Sequence, residues 1–316
     1  MAAPLSGIYA TLFSTYSIVA RDPETGELGV AVQTHQMCVG AVVPWLLPGV
    51  GALATQSLSN ISFGPLGLAL LREGVPAPQV TAALVASDGL AHRRQLAVVD
   101  AQGRAAAHTG AGCIAAAGHR TGAGYSVQAN MMTNPTVTDA MAAAYERAGG
   151  DLAQRMLAAL AAAQAEGGDI RGMQSAALKV VSGDASQPGW SSRYDLRVDE
   201  HDNPLAELAR LARLRGAQLV DQRGHEALNT GDRSGALALW AQARAQAPEL
   251  EEIAFWQALA LADDHADVEA AAAILRPALA ADPRRDHWLD LIQRLSVCGL
   301  IEREGAGEDL LAALLA

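Results

Sequence analysis

Short apolar, β-branched runs bounded by turn clusters recur through the first 200 residues, and stretches with apolar residues at a period near 3.6 lie between them. Tyr16 to Ala20 is a β-branched apolar run; the turn cluster Asp22-Pro23-Glu24-Thr25-Gly26 and a second run, Leu28 to Thr34, complete a predicted N-terminal hairpin. Val39 to Val43 and Gly51 to Gln56 read as two more strands across Pro44 and the Pro48-Gly49 turn. Helical spacing follows over Pro65 to Glu73 and Ala77 to Ala86, with Gly74 in the position of a C-terminal cap. Strands resume at Leu96 to Val99, Arg104 to His108 and Tyr125 to Met131. A second helix pair, Thr138 to Arg147 and Leu152 to Glu166, is divided by Gly149-Gly150, and Ser175 to Val181 with Tyr194 to Val198 return to strand.

Helices that arrive in pairs between hairpins, not singly between parallel strands, predict an α+β fold in which two antiparallel sheets stack under helical layers. The expected architecture is a four-layer αββα sandwich. From about residue 205 the chain changes character, and Ala, Leu and Arg dominate at helical spacing. Ala236, Ala243 and Pro248 recur 35 residues later as Ala271, Ala278 and Pro283, close to the period of tetratricopeptide arrays. An all-α helical-repeat domain over 213–316 is therefore expected after a sandwich over 15–212, with 1–14 a leader. Trp240, Phe255, Trp256 and Trp288 fall where interlocking repeat helices bury their aromatics. Such an array offers a face for a protein partner, and its acidity favours a basic one.

Charge narrows the classes of partner. The net charge is −11, and 201–316 carries 11 basic against 19 acidic side chains, which excludes wrapping a phosphate backbone. Nucleic acid is not an expected partner. No apolar run approaches the ~18 residues a membrane span needs, and no charged head precedes the apolar opening, so a cytoplasmic protein away from membranes is expected. Cys38, Cys113 and Cys298 have neither disulfide-framework nor zinc spacing. Unpaired repeat faces give a reason for homo-oligomers.

Strong catalytic signatures are absent: there is no GxSxG, HExxH or phosphate-cradling GxxxxGK. Asp195, Arg197 and Asp199 alternate along a strand and share a face, which suits a solvated edge, an ion-pair network or a substrate carboxylate held by Arg197. Glu200-His201-Asp202 are consecutive and point apart, so neither a metal nor a cofactor is expected there. Asp169, Arg171 and Gln174 order a loop or line a cleft, while His35, His108 and His119 read as structural. Lys179, the only lysine, stands on a core strand where it either tunes a nucleophile or reflects an arginine-biased composition.

The run Thr15-Tyr16-Ser17-Ile18-Val19-Ala20-Arg21-Asp22-Pro23-Glu24-Thr25-Gly26-Glu27-Leu28-Gly29-Val30-Ala31-Val32 resembles the opening of the bacterial and archaeal domain of unknown function 1028 family. Further matching blocks are Val43-Pro44-Trp45, Ala54-Thr55-Gln56, Gln128-Ala129-Asn130-Met131, Gly168 to Leu178 and Asp195 to Asp199. The resemblance implies an N-terminal-nucleophile (Ntn) hydrolase-like fold. In such enzymes the first residue of the mature chain attacks a carbonyl while its own α-amine, with a pKa of roughly 7.7 to 8, takes the proton. Thr15 is the matching residue, and its use requires cleavage after Ser14; the other reading makes it a β-branched strand residue. Asn130 would donate to the oxyanion or tie down a loop. Ser17 and Gln128, each on the same strand face as its partner in that pair, would neighbour the substrate, and Asp195 and Arg197 of the later strand are expected to bind it. The expected function is an amidohydrolase acting on a small molecule or peptide, and the alternative is a non-catalytic scaffold.

Overall fold

The structure, a computed structural model, describes residues 12, 13, 15–280 and 282–316. The chain divides after Ala212 into two compact units, and the division falls inside a long helix.

In the first unit, β2 (Thr15–Arg21) and β3 (Leu28–Thr34) form the expected hairpin, Thr15 opposite Thr34 and Arg21 opposite Leu28. Its turn is held by Asp22, whose Oδ1 accepts from the amides of Glu24 at 2.8 Å and Thr25 at 2.9 Å, and by Gly26 at φ +75°. Burial pushes the Asp22 carboxyl up, but these amides and Arg155 outweigh it and hold it below the usual carboxylate range. The hairpin lies at the centre of a six-stranded antiparallel sheet, with β9 (Tyr125–Asn130) and β8 (Gly118–Gly122) on one side and β10 (Ser175–Val181) and β11 (Tyr194–Val198) on the other. A second antiparallel sheet contains β1 (Leu12–Phe13), β4 (Pro44–Leu47), β5 (Gly51–Leu58), β6 (Arg94–Asp100) and β7 (Ala105–Thr109).

The two sheets share one apolar core, to which Val19, Val30, Val32 and Ala177 contribute from one sheet and Ala52, Ala54, Ala97 and Val99 from the other. Because both faces of these strands are covered, they read as nearly continuous apolar runs. The outer face of the smaller sheet buries Leu53, Leu96 and Val98 against Phe63, Leu71, Val80 and Leu84 of α1 (Phe63–Arg72) and α2 (Ala77–Ala86). On the larger sheet lie α3 (Val137–Arg147) and α4 (Leu152–Ala165), the latter started by a reciprocal capping box between Asp151 and Gln154. Gly29 lets α4 approach closely, since a Cβ there would stand 2.6 Å from Met156 Sδ.

One sequence expectation changes, and one strand is added that the sequence pattern does not predict. Val39 to Val43 is not a strand: Cys38 turns the chain at φ +62°, Val39–Ala41 form a single 3₁₀ turn, and the strand starts at Pro44, which as a first residue forfeits no ladder bond. Strand β8 has no apolar alternation in Gly-His-Arg-Thr-Gly, because it is the outermost strand and half of it faces water.

The second unit is helical: the end of α5 (Pro204–Asn229), then α6 (Arg233–Gln246), α7 (Glu251–Asp264), α8 (Val268–Leu279), α9 (Arg285–Val297) and α10 (Ala306–Leu315). Trp240 and Phe255 are fully buried in its core, and Gly224 leaves room for the Trp240 ring. Trp288 packs on Phe255 with ring centroids 4.9 Å apart. Trp256 is 42% exposed, since it follows Phe255 and so turns about 100° round the helix, and its Nε1 donates to Glu252. Among the described residues no helix is long and apolar enough to cross a membrane.

Candidate functional site

Thr15 opens the central strand β2, in register with Thr34 of β3 and Asn130 of β9. The two-residue period of a strand puts Thr15 and Ser17 on the same face as Val19, which points between the sheets; Gln128 and Asn130 stand opposite them. All four are fully buried, as are Gln56 of β5 and Gln95 of β6 across the gap.

These side chains form one hydrogen-bonded array. Ser17 Oγ donates to Gln56 Oε1 at 2.6 Å and accepts from Gln128 Nε2 at 2.6 Å, while Ser126 Oγ donates to Gln128 Oε1 at 2.9 Å. Gln56 Nε2 reaches the Thr15 carbonyl at 3.2 Å and Gln95 Oε1 at 2.7 Å. Asn130 Nδ2 donates to the same Gln95 Oε1 at 2.9 Å. Gln95 Nε2 in turn donates to Thr109 Oγ1 and the Ala129 carbonyl, each at 2.9 Å. No member carries a charge, so burying the array requires hydrogen bonds but no counter-ion. Thr15 Oγ1 does not join it: this hydroxyl is buried and has no hydrogen-bond partner among the described residues, as is also true of Ser59 Oγ and of the Gln33 amide elsewhere in the unit. A buried hydroxyl without a partner in a site this polar requires an explanation, and a reactive role supplies one.

The backbone around this end of the sheets is strained. Of the four non-glycine residues with positive φ among the described residues, three lie here: Cys38 beyond β3 (φ 62°), Ser57 near the end of β5 (φ 66°) and Met131 directly after Asn130 (φ 59°). Such residues persist only where surrounding structure overdetermines them, and they cluster at functional sites. The chain before Thr15 also converges here. β1 pairs with β5, Phe13 opposite Ser57 and Leu12 opposite Leu58, so the polypeptide passes from one sheet to the other between Phe13 and Thr15. Residues 1–11 and 14 of the expected leader lie outside the described residues.

Asp195 and Arg197 are not brought to this array. They lie on β11, an edge strand three strands from β2 and so about 14 Å away at ~4.8 Å per strand, where Asp195 pairs with Lys179 at 3.0 Å and Arg197 with Asp199 at 2.9 Å. Lys179, on β10 next to the edge strand, is thereby explained as an ion-pair partner of Asp195. Asp169 is buried and accepts from the His35 amide at 3.0 Å and from Arg171 Nη2 at 3.0 Å, tying the loop after α4 to the end of β3; Gln174 joins it through its amide to the Thr34 carbonyl. His108 Nε2 lies 2.9 Å from the Ala91 carbonyl, and His201 Nδ1 accepts from the Asn203 amide. Among the described residues no three His, Cys, Asp or Glu side chains converge as ligands of a cation would.

His119 connects with the array through Thr109, whose Oγ1 lies 2.8 Å from its Nδ1. Burial, aided by His108, pushes the His119 imidazole below its usual value. NMR titration of the ring is expected to show His119 ionising below an ordinary histidine; a normal titration would show that burial and His108 do not act on it.

Sequence reasoning missed Gln56 and Gln95, the hub of the array. The available signal was an amide side chain inside an apolar strand, Gly-Ala-Leu-Ala-Thr-Gln-Ser-Leu and Arg-Gln-Leu-Ala-Val-Val-Asp, in a protein whose strands are covered on both faces.

Comparison with known proteins adds the family. The model of the family of unknown function DUF1028 matches residues 15–208. The chain belongs to the DUF1028 family. Among solved structures, this DUF1028 chain is similar to protein SPO2555 from Silicibacter pomeroyi, also assigned to DUF1028, at 33% identity and a TM-score of 0.57, covering 63% of this chain and 88% of that one. No curated protein matches it. The family match starts at Thr15, the residue whose hydroxyl lies unpartnered between the sheets.

Proposed function

We propose that the first unit is an Ntn-hydrolase-like αββα sandwich and that the protein is an amidohydrolase using Thr15 as nucleophile. The observation that carries this reading is the buried, unpartnered Thr15 Oγ1 at the start of the central strand, beside an array of neutral amides. Two stacked antiparallel sheets with a helix pair on each support the fold assignment.

The chemistry begins with release of the nucleophile. The Thr15 hydroxyl attacks the Ser14 carbonyl; the Oγ1–C bond forms, the peptide C–N bond breaks, and the hydroxyl proton ends on the nitrogen. Water then hydrolyses the ester, freeing residues 1–14 with a Ser14 carboxylate and leaving Thr15 with an α-amine. In turnover this amine accepts the Oγ1 proton as Oγ1 adds to a substrate amide carbonyl and returns it to the departing amine as the C–N bond breaks; water, giving its proton to the same α-amine, then cleaves the Oγ1 ester, releasing the acid and restoring the hydroxyl. The Asn130 amide, in register with Thr15, donates to the oxyanion; such a donor is worth roughly 10²- to 10³-fold in rate. Ser17, Gln128, Gln56 and Gln95 fix its position. The Gln56 amide at the Thr15 carbonyl holds the nucleophile's backbone at 3.2 Å.

Intact-mass measurement and N-terminal sequencing of purified protein test this reading. The expected mature chain starts at Thr15; a wild-type chain that keeps residues 1–14 overturns it.

The helical unit is assigned a tetratricopeptide-like role in recruiting a protein partner. Supporting this, half-exposed Trp256 and the carboxylates of Asp263, Asp264 and Glu302 line a groove of about 330 Å³, suited to a basic segment.

A further inference from the structure

The strand that precedes the nucleophile shows how a substrate would lie. In the smaller sheet, one side of β5 is paired along its length with β6. The other side is shared: β4 pairs with Gly51 to Ala54, and β1, from the residues before Thr15, pairs with Ser57 and Leu58. Between them the Thr55 amide donates to the Val43 carbonyl. If residues 1–14 depart, the end of β5 nearest Thr15, at Ser57 and Leu58, loses its neighbour on that side, although the Leu58 carbonyl keeps its hydrogen bond from Arg94 Nη1 at 2.5 Å. Such an edge is a template for an extended chain.

Resting on the Ntn reading above, we propose that this vacated stretch of β5 is the substrate groove, and that the substrate is an extended, uncharged peptide which adds to the sheet antiparallel to Ser57–Leu58 and delivers its scissile carbonyl to Thr15. Three observations carry the choice of a peptide. The position is already occupied by peptide backbone of this chain, in a register that leads within two residues to Thr15. The displaced sequence, Thr11-Leu12-Phe13-Ser14, has no ionisable side chain. The side chains of the array beside Thr15, those of Ser17, Gln56, Gln95, Gln128 and Asn130, are likewise neutral and buried, so a charged residue brought against them finds no counter-ion there and loses its water. The left-handed backbone of Ser57 ends the regular ladder at that point, which limits the groove to a short segment.

The test uses the full-length chain as purified, its N-terminus established by intact mass, and a fluorescein-labelled Ala-Thr-Leu-Phe-Ser amide matching residues 10–14. Anisotropy is expected to show saturable binding to the processed chain and none to Thr15→Ala, which keeps its own strand in place. N-methylation of the Leu and Phe amides of the probe removes backbone donors without altering the protein, and is expected to weaken binding about tenfold, the worth of one to two hydrogen bonds. Replacing Leu and Phe of the probe by Asp is expected to weaken it at least as much. A processed chain that binds the N-methylated and parent peptides equally, or neither, overturns the strand-addition proposal while leaving the Ntn reading intact. A processed chain that dimerises and excludes the peptide assigns this edge to a second copy and also overturns it. A wild-type chain that retains its leader overturns the Ntn reading and the groove together.

Discussion

Thr15→Ala is expected to leave residues 1–14 attached and to lower amide hydrolysis by roughly 10⁴-fold or more, the usual scale for removing a covalent nucleophile. Both effects follow from one atom. The hydroxyl that adds to the Ser14 carbonyl is the one that later adds to the substrate, so the methyl side chain stops maturation and turnover together. Thr15→Ser separates chemistry from packing. It keeps the hydroxyl, so mass spectrometry should show processing, with activity within about tenfold of wild type; the lost methyl costs only about 0.8 kcal/mol of burial. The alanine chain should fold like its parent, because Oγ1 makes no hydrogen bond among the described residues to lose. An alanine variant that is still processed would move the nucleophile elsewhere.

The second large effect is on stability. Gln95→Leu is expected to cost about 2–4 kcal/mol, because stranding a buried polar group costs about 1–3 kcal/mol and Gln95 Oε1 serves both Gln56 and Asn130. In a unit of this size that lowers the melting midpoint by about 5–15 °C. Calorimetry of the full chain reads the shift. Asn130→Leu should cost a similar amount alone, yet the Gln95→Leu, Asn130→Leu double variant should cost less than the two added together, since the second change removes a donor the first has orphaned. Additive losses would show that Gln95 and Asn130 do not share a bond of consequence.

Parts of this arrangement were readable in advance for reasons that can be named. The Asp22-to-Gly26 turn carries its own hydrogen-bond acceptor and its own positive-φ residue, so local chemistry alone specifies the first hairpin. Asn130 and Gln128 were legible only through family resemblance. Physically, an amide in a strand is the same signal whether it faces water or a buried partner, and Gln56 and Gln95 were passed over for that reason. Thr15 sits opposite Asn130 only because β2 and β9, more than 100 residues apart, meet in the sheet, a pairing no local pattern encodes. Alternation puts Asp195 and Arg197 on one face of β11, with Asp199 just past its end, but period says nothing about which strand is outermost. Their positions follow from the order β11-β10-β3-β2-β9-β8.

The six buried side chains around Thr15 include no acid and no base. None of them gains or loses a proton between roughly pH 4 and pH 10. The array itself therefore adds no ionisation over that range, leaving that of the freed α-amine, and of His119 at its outer end, to shape the acid limb of an activity profile. In a protein whose remaining surface carries a net −11, the reaction centre would be electrically silent until its own chain end is cut.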